Sequence, residues 1–157
     1  MKKVNLVFGT VYGNAQFVAE TLFGVLKEEG REVSLLMHDQ LDGFVPPQDE
    51  LLLVICSTTG QGDVPEDIQP WFENLKSTAP YMPQLKYGVI ALGDSSYETF
   101  CGAGVKFDKL LTECGAKRIG EMLKIDACET MEPEVEAKAW LQSWNALIDT
   151  EISIFTA

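Results

Sequence analysis

Metal ligands and positive charge are scarce in this chain. It has one histidine, His38, and its four cysteines, Cys56, Cys101, Cys114 and Cys128, make no Cys-x-x-Cys pair, so the ligand spacing of a zinc site is missing and reduced, cytoplasmic thiols are expected. Twelve Lys and Arg face 24 Asp and Glu, for a net charge of -12. A surface of that sign repels nucleic acid and anionic membrane, and suits either plain solubility or docking to a basic protein. No apolar run approaches the roughly 20 residues that a membrane span requires. The N-terminus opens directly on a strand pattern, so no signal peptide is expected. No repeat, low-complexity tract or linker interrupts the sequence, so one domain over residues 1–157 is expected, long enough to bury about two thirds of its unfolded surface.

What the chain does have is a strict alternation of short apolar runs with longer helical periods. Val4–Phe8 is the first run, and Phe17, Val18, Thr21, Leu22, Val25 and Leu26 then recur at helical spacing up to Gly30, which stands where a left-handed C-cap belongs. Glu32–Met37 alternates as a strand near a sheet edge does, and a loop with room for one helical turn runs from His38 to Pro47. Leu51–Cys56 and Tyr87–Leu92 read as central parallel strands covered on both faces. A helical stripe follows each: Ile68, Trp71, Phe72 and Leu75, with Asp67 expected as N-cap and Pro70 in the first turn, then Phe107, Leu110, Leu111 and Cys114, stopped at Gly115. A fifth strand is expected over residues 118–125. A last helix is expected on Ala137, Trp140, Leu141, Trp144, Leu147 and Ile148, its tryptophans packed in the core, with residues 149–157 fraying. Such alternation gives an α/β fold, a doubly wound parallel sheet with right-handed crossovers and helices on both faces.

Ligands of such sheets bind beyond the carboxyl ends of the strands, and three polar, glycine-containing loops leave from there. They are Gly9–Ala15, Ser57–Pro65 and Gly93–Cys101, with a fourth, Asp126–Glu129, after the fifth strand. The first enters a helix without any Lys or Arg, yet the unpaired N–H groups and partial positive charge of a helix start can wrap a phosphate. No lysine follows Gly13-Asn14, which removes the GxxxxGK[ST] of phosphate-loop NTPases, and no GxGxxG follows the first strand. A response-regulator receiver would carry acids where Gly9-Thr10 and Ser57-Thr58 stand.

These loops resemble those of the flavodoxins and of the FMN domains of diflavin reductases, and most nearly the small bacterial flavodoxin-like proteins of the MioC type, over residues 3 to 148. LGDSSYETFC, Leu92–Cys101, is the most specific match, followed by STTGQGDVP, Ser57–Pro65, and GTVYGNA, Gly9–Ala15. The resemblance implies a five-stranded sheet in the order 2-1-3-4-5 and one non-covalent FMN. It implies a monomeric electron carrier rather than an enzyme, serving a separate NADPH-dependent flavodoxin reductase and an acceptor enzyme that the sequence does not identify. It places the phosphate at Thr10, Gly13, Asn14 and Ala15, and the cofactor as a whole also against Val11 and Tyr12 of the first loop, Ser57, Thr58, Thr59, Gly60, Gln61 and Gly62 of the second and Gly93, Asp94, Phe100 and Cys101 of the third. Tyr97 matches the aromatic that stacks on the outer flavin face, Gly60 the residue whose carbonyl meets flavin N5, and Asp126 lies in the loop nearest the flavin edge. Two residues depart from the family pattern. Tyr12 replaces a threonine that would donate a hydroxyl to the phosphate, and Thr59 replaces an aromatic on the inner flavin face. Carboxylates near the loops, Asp63, Glu66, Asp67, Asp94, Glu98 and Asp126, would disfavour an anionic reduced flavin and lower its potential. Two other readings remain open: a small quinone- or azo-type reductase working through bound flavin, and an interaction module that kept the fold without the cofactor.

Overall fold

The computed structural model describes residues 2–58, 62–97 and 99–156, the segment 150–156 by its backbone alone. Strand β3 (Leu51–Ser57) is buried along nearly its whole length and forms the centre of a parallel sheet. It is flanked by β1 (Val4–Gly9) and β4 (Lys86–Gly93), and β2 (Val33–Leu36) pairs with the outer side of β1. The far side of β4 carries two short strands in succession, β5 (Lys117–Arg118) and β6 (Leu123–Asp126). The order is therefore 2-1-3-4-5, as expected, with the fifth position shared by two pieces.

Alternate residues of the strands feed two cores. Leu52, Val54 and Cys56 of β3 join Val7 of β1 and Tyr87 and Val89 of β4 beneath α2 (Gln69–Thr78) and α3 (Gly102–Glu113). Leu51, Leu53 and Ile55 join Leu6, Phe8 and Ile90 beneath α1 (Asn14–Glu28) and α4 (Pro133–Thr156). Because helices cover both faces, the interior positions of β1, β3 and β4 are removed from water, which is why these strands read as continuous apolar runs. No helix among the described residues is long and apolar enough to cross a membrane.

Four local expectations need correction. The strand expected over residues 118–125 is interrupted: between the pairs Tyr87↔Arg118 and Ile90↔Leu123, residues 119–122 lie opposite only residues 88–89, so the chain leaves the ladder and returns. The buried face of α1 is Ala15, Val18, Ala19, Leu22 and Leu26, whereas Phe17 is 54% exposed; the two alanines are apolar but small, and periodicity of larger residues does not find them. Helix α4 continues to Thr156 instead of fraying from residue 149, since neither Gly nor Pro interrupts it after Pro133. Asp67 does not cap α2, whose N-cap is Ile68. The single helical turn expected after β2 is a 3-10 turn, His38–Leu41.

Gly88 of β4 admits the indole of Trp144. A Cβ there would lie 2.6 Å from Trp144 Nε1 and 2.9 Å from Trp140 Cη2, and the two indoles are themselves stacked at 5.5 Å. Overpacking of this kind costs about 1–3 kcal/mol. Gly88→Ala should lower stability by that amount in urea unfolding, with the slope unchanged; wild-type stability would show that the indoles yield freely.

Candidate functional site

The strand register sets the site. Gly9 pairs with Cys56, Ser57 with Leu92 and Gly93 with Asp126, so the carboxyl ends of β1, β3, β4 and β6 finish level and their loops leave from one edge. There they enclose a cavity of about 580 Å³. The first loop contributes Val11, Tyr12 and Asn14, the second Ser57 and Thr58, and the third Gly93, Asp94, Tyr97, Phe100 and Cys101. Ten of the residues expected at the site therefore meet around one space. Tyr12, 92% exposed, and Tyr97, 54% exposed, stand at its mouth.

The first loop presents backbone donors. Gly13, at φ 90, takes the left-handed conformation that glycine adopts at no steric cost, and it immediately precedes α1. Its N–H donates to Thr10 Oγ1 at 2.8 Å. The hydroxyl is thus used as an acceptor, and its own proton meets no acceptor among the described residues. Thr10 N–H is taken by the Asp67 carboxylate, at 3.0 and 3.1 Å from its two oxygens. The N–H groups of Val11, Tyr12, Asn14 and Ala15 meet no acceptor among the described residues. Ala15 itself is fully buried and supports the turn from below.

The second loop is fastened to the third. Thr58 Oγ1 accepts the Ala103 N–H at 3.3 Å. Gly62 packs so closely that a Cβ on it would lie 2.7 Å from Thr99, and Gly102 packs against Gly62 in turn. Thr59, Gly60, Gln61 and Glu98 lie outside the described residues, and with them the expectations placed on those positions.

The third loop is shaped by two carboxylates. Asp94 accepts hydrogen bonds from the Cys128 thiol at 3.0 Å and from the Ser96 N–H and hydroxyl, which hold its carboxyl below the usual range; Asp94 in turn pushes the Cys128 thiol up. Asp126 does not line the cavity. It stands behind the wall, where its carboxylate accepts the N–H groups of Ser95 at 3.0 Å and Cys128 at 2.9 Å, and bonding to Ser95 and then Cys128 holds it below the usual range. It therefore joins the loop after β4 to the loop after β6. Cys101 is a buried part of the cavity floor, in left-handed backbone at φ 57, and burial pushes its thiol up to about 11, so it stays protonated and unreactive.

One wall is absent from the sequence reading. Ile125, Ala127, Thr130, Met131 and Pro133, from the end of β6 to the start of α4, also line the cavity. Met131 is 96% exposed. The available signal was their position beyond the carboxyl end of the last strand, but the loop was read only as far as Glu129. A second cavity, of about 450 Å³, lies between α2 and α3, where Lys76, Lys106 and Lys109 stand among Asp63, Glu73 and Glu113.

The chain belongs to the flavodoxin family of FMN-binding electron-transfer proteins, whose family profile, described as Flavodoxin, matches residues 6–140. It is 45% identical over 148 residues to Flavodoxin YqcA of Escherichia coli strain K12, covering 94% of this chain and 99% of that protein. Protein MioC of the same organism is 37% identical, with the same coverage of both chains. A solved flavodoxin structure from Pseudomonas aeruginosa superposes with a TM-score of 0.84 at 39% identity, covering 94% of this chain and 99% of that one.

The Asp126 bridge makes a pH-dependent contribution. A carboxyl held low in the folded state stabilises the fold above the unfolded-state carboxylate range, and that stability is lost as pH falls through the lower, folded-state value. In thermal melts from about pH 7 to about pH 3, Asp126→Ala should lower the Tm at neutral pH and lose less on acidification than wild type. Asp126→Asn, which keeps one acceptor, should fall between the two, and parallel acid profiles for all three proteins would contradict the bridge.

Proposed function

We propose that residues 1–157 work as one domain that holds a single FMN in the cavity at the carboxyl edge of the sheet. The observation that carries this reading is the turn Thr10–Ala15, where the Thr10 hydroxyl proton and the N–H groups of Val11, Tyr12, Asn14 and Ala15, none with an acceptor among the described residues, lie at the start of α1. That donor set suits a phosphate dianion, which needs several hydrogen bonds and gains from the positive end of a helix. Val11, Tyr12 and Asn14 would hold the phosphate end. Ser57, Thr58, Gly93 and Asp94 would meet the polar edges of the ring system, and Tyr97 would lie against a ring face. Phe100, Cys101 and Met131 supply apolar surface that keeps water from the ring. The loop wall fixed by Asp126 would hold these groups in place before the cofactor arrives.

When bound, FMN supplies one-electron chemistry, and the protein positions it and sets its surroundings. The anionic surface, with Asp94 in the cavity wall, favours the less negatively charged forms of the cofactor. The protein works as a monomeric cytoplasmic carrier. It receives electrons from a separate NADPH-dependent reductase, which its net charge of -12 would steer if that partner is basic, and passes them to an acceptor enzyme. It has no substrate of its own, so purified protein reconstituted with FMN should not consume NADPH unless a reductase is added.

The test of the assignment is ligand discrimination. FMN should bind more tightly than FAD, and riboflavin, which lacks the phosphate, more weakly still. Thr10→Val removes a hydrogen bond to a charged group, worth roughly 1.5–3 kcal/mol, so FMN affinity should fall about ten- to a hundredfold with little change for riboflavin. Equal affinity of the wild type for FMN and riboflavin, in fluorescence-quenching titrations, would contradict the phosphate assignment.

A further inference from the structure

The turn after β1 is closed by an acid. Asp67, just before α2, receives the Thr10 N–H on both carboxylate oxygens, so a full negative charge lies against the loop assigned above to the phosphate. Left alone, that charge would oppose a bound dianion. Facing it is His38, the chain's one histidine, on the 3-10 turn after β2. His38 Nε2 lies 3.1 Å from Asp67 Oδ2, shielded from solvent and not aligned to donate a hydrogen bond, so the two form an ion pair when the imidazole is protonated. Phe8 of β1 holds the imidazole edge-on at 5.0 Å. The field of Asp67 also reaches inward, since it adds to burial in pushing the Cys56 thiol of β3 up. Three elements distant in sequence thus meet at the base of a phosphate loop that has no cationic side chain of its own.

We propose that His38 and Asp67 are paired positioning residues that set the affinity of this protein for the phosphate of FMN. Asp67 fixes the Thr10 N–H and with it the turn. His38, when protonated, offsets the carboxylate charge that the phosphate would otherwise meet. Neither residue lines the cavity; both act through the turn. The inference rests on the phosphate assignment made above, and it deepens that assignment by naming what balances the charge beneath the loop.

The test compares FMN with riboflavin in wild type, His38→Gln, Asp67→Asn and the double variant, with riboflavin binding as the control for folding. With the imidazole protonated, His38→Gln should weaken FMN binding about three- to tenfold and leave riboflavin unchanged, the size expected for one partly screened charge near a dianion. Asp67→Asn keeps an acceptor for Thr10 N–H but removes the charge, and should tighten FMN binding by a similar factor. On that background, His38→Gln should have little further effect. Both single effects should shrink as salt is raised to about 0.5 M, which a change in loop shape would not do. The pairing is overturned if His38→Gln alters both ligands equally or neither, or if Asp67→Asn weakens FMN. Equal wild-type affinity for the two ligands would instead refute the phosphate assignment itself, so the two failures are distinguishable.

Discussion

Level parallel pairing of β1, β3 and β4 is the constraint on which the cavity depends. Gly9 lies opposite Cys56 and Ser57 opposite Leu92, so the loops that follow start within one residue step of each other. A slip of one residue in β3 would exchange Leu51, Leu53 and Ile55 for Leu52, Val54 and Cys56 between the two cores and shift Ser57 and Thr58 along the edge. The apolar runs alone allow such slips, because both faces are buried. The unequal sizes of the facing residues restrict them: Phe8 and Leu6 serve the α1 and α4 side, and Tyr87 serves the α2 and α3 side, where its hydroxyl is anchored to Asp108 and Thr112.

The proposed phosphate site would hold an anion on an acidic protein without a cation in the loop. Three lysines are available nearby in the fold, at Lys76, Lys106 and Lys109, but they stand between α2 and α3 among acids, and Lys106 is paired with Asp63 at 3.3 Å. The donors at the carboxyl edge are instead N–H groups and one hydroxyl, which fit a phosphate by geometry and keep the rim anionic. That separates two tasks that a basic loop would merge. On the proposed assignment the neutral donors would hold the phosphate, while the surrounding carboxylates would bias the cofactor's charge and steer a partner.

The legible parts of the sequence were those governed by local rules. The central strands showed as unbroken apolar runs, and Gly30 and Gly115 marked helix ends at φ 84 and 90. The three loops announced themselves by glycine and hydroxyl residues after buried strands. What stayed hidden was tertiary. Asp67 looked like a helix cap because its neighbours fit that pattern, yet its carboxylate is used 57 residues away in sequence, on Thr10. Asp126 looked like a cavity residue because of its place after the last strand, yet it binds Ser95 and Cys128 behind the wall. The break in the fifth strand, where residues 119–122 leave the ladder opposite residues 88–89, is likewise encoded by no local pattern.

The central claim, that phosphate is held by the start of α1, is tested most directly by comparing amide resonances on addition of FMN and of riboflavin. Both ligands should shift the amides of the loops after β3 and β4. Only FMN should move those of Val11, Tyr12, Asn14 and Ala15, whose N–H groups meet no acceptor among the described residues. Phosphate-dependent shifts at Lys76, Lys106 and Lys109, with residues 10–15 undisturbed, would contradict the account and place the anion between α2 and α3.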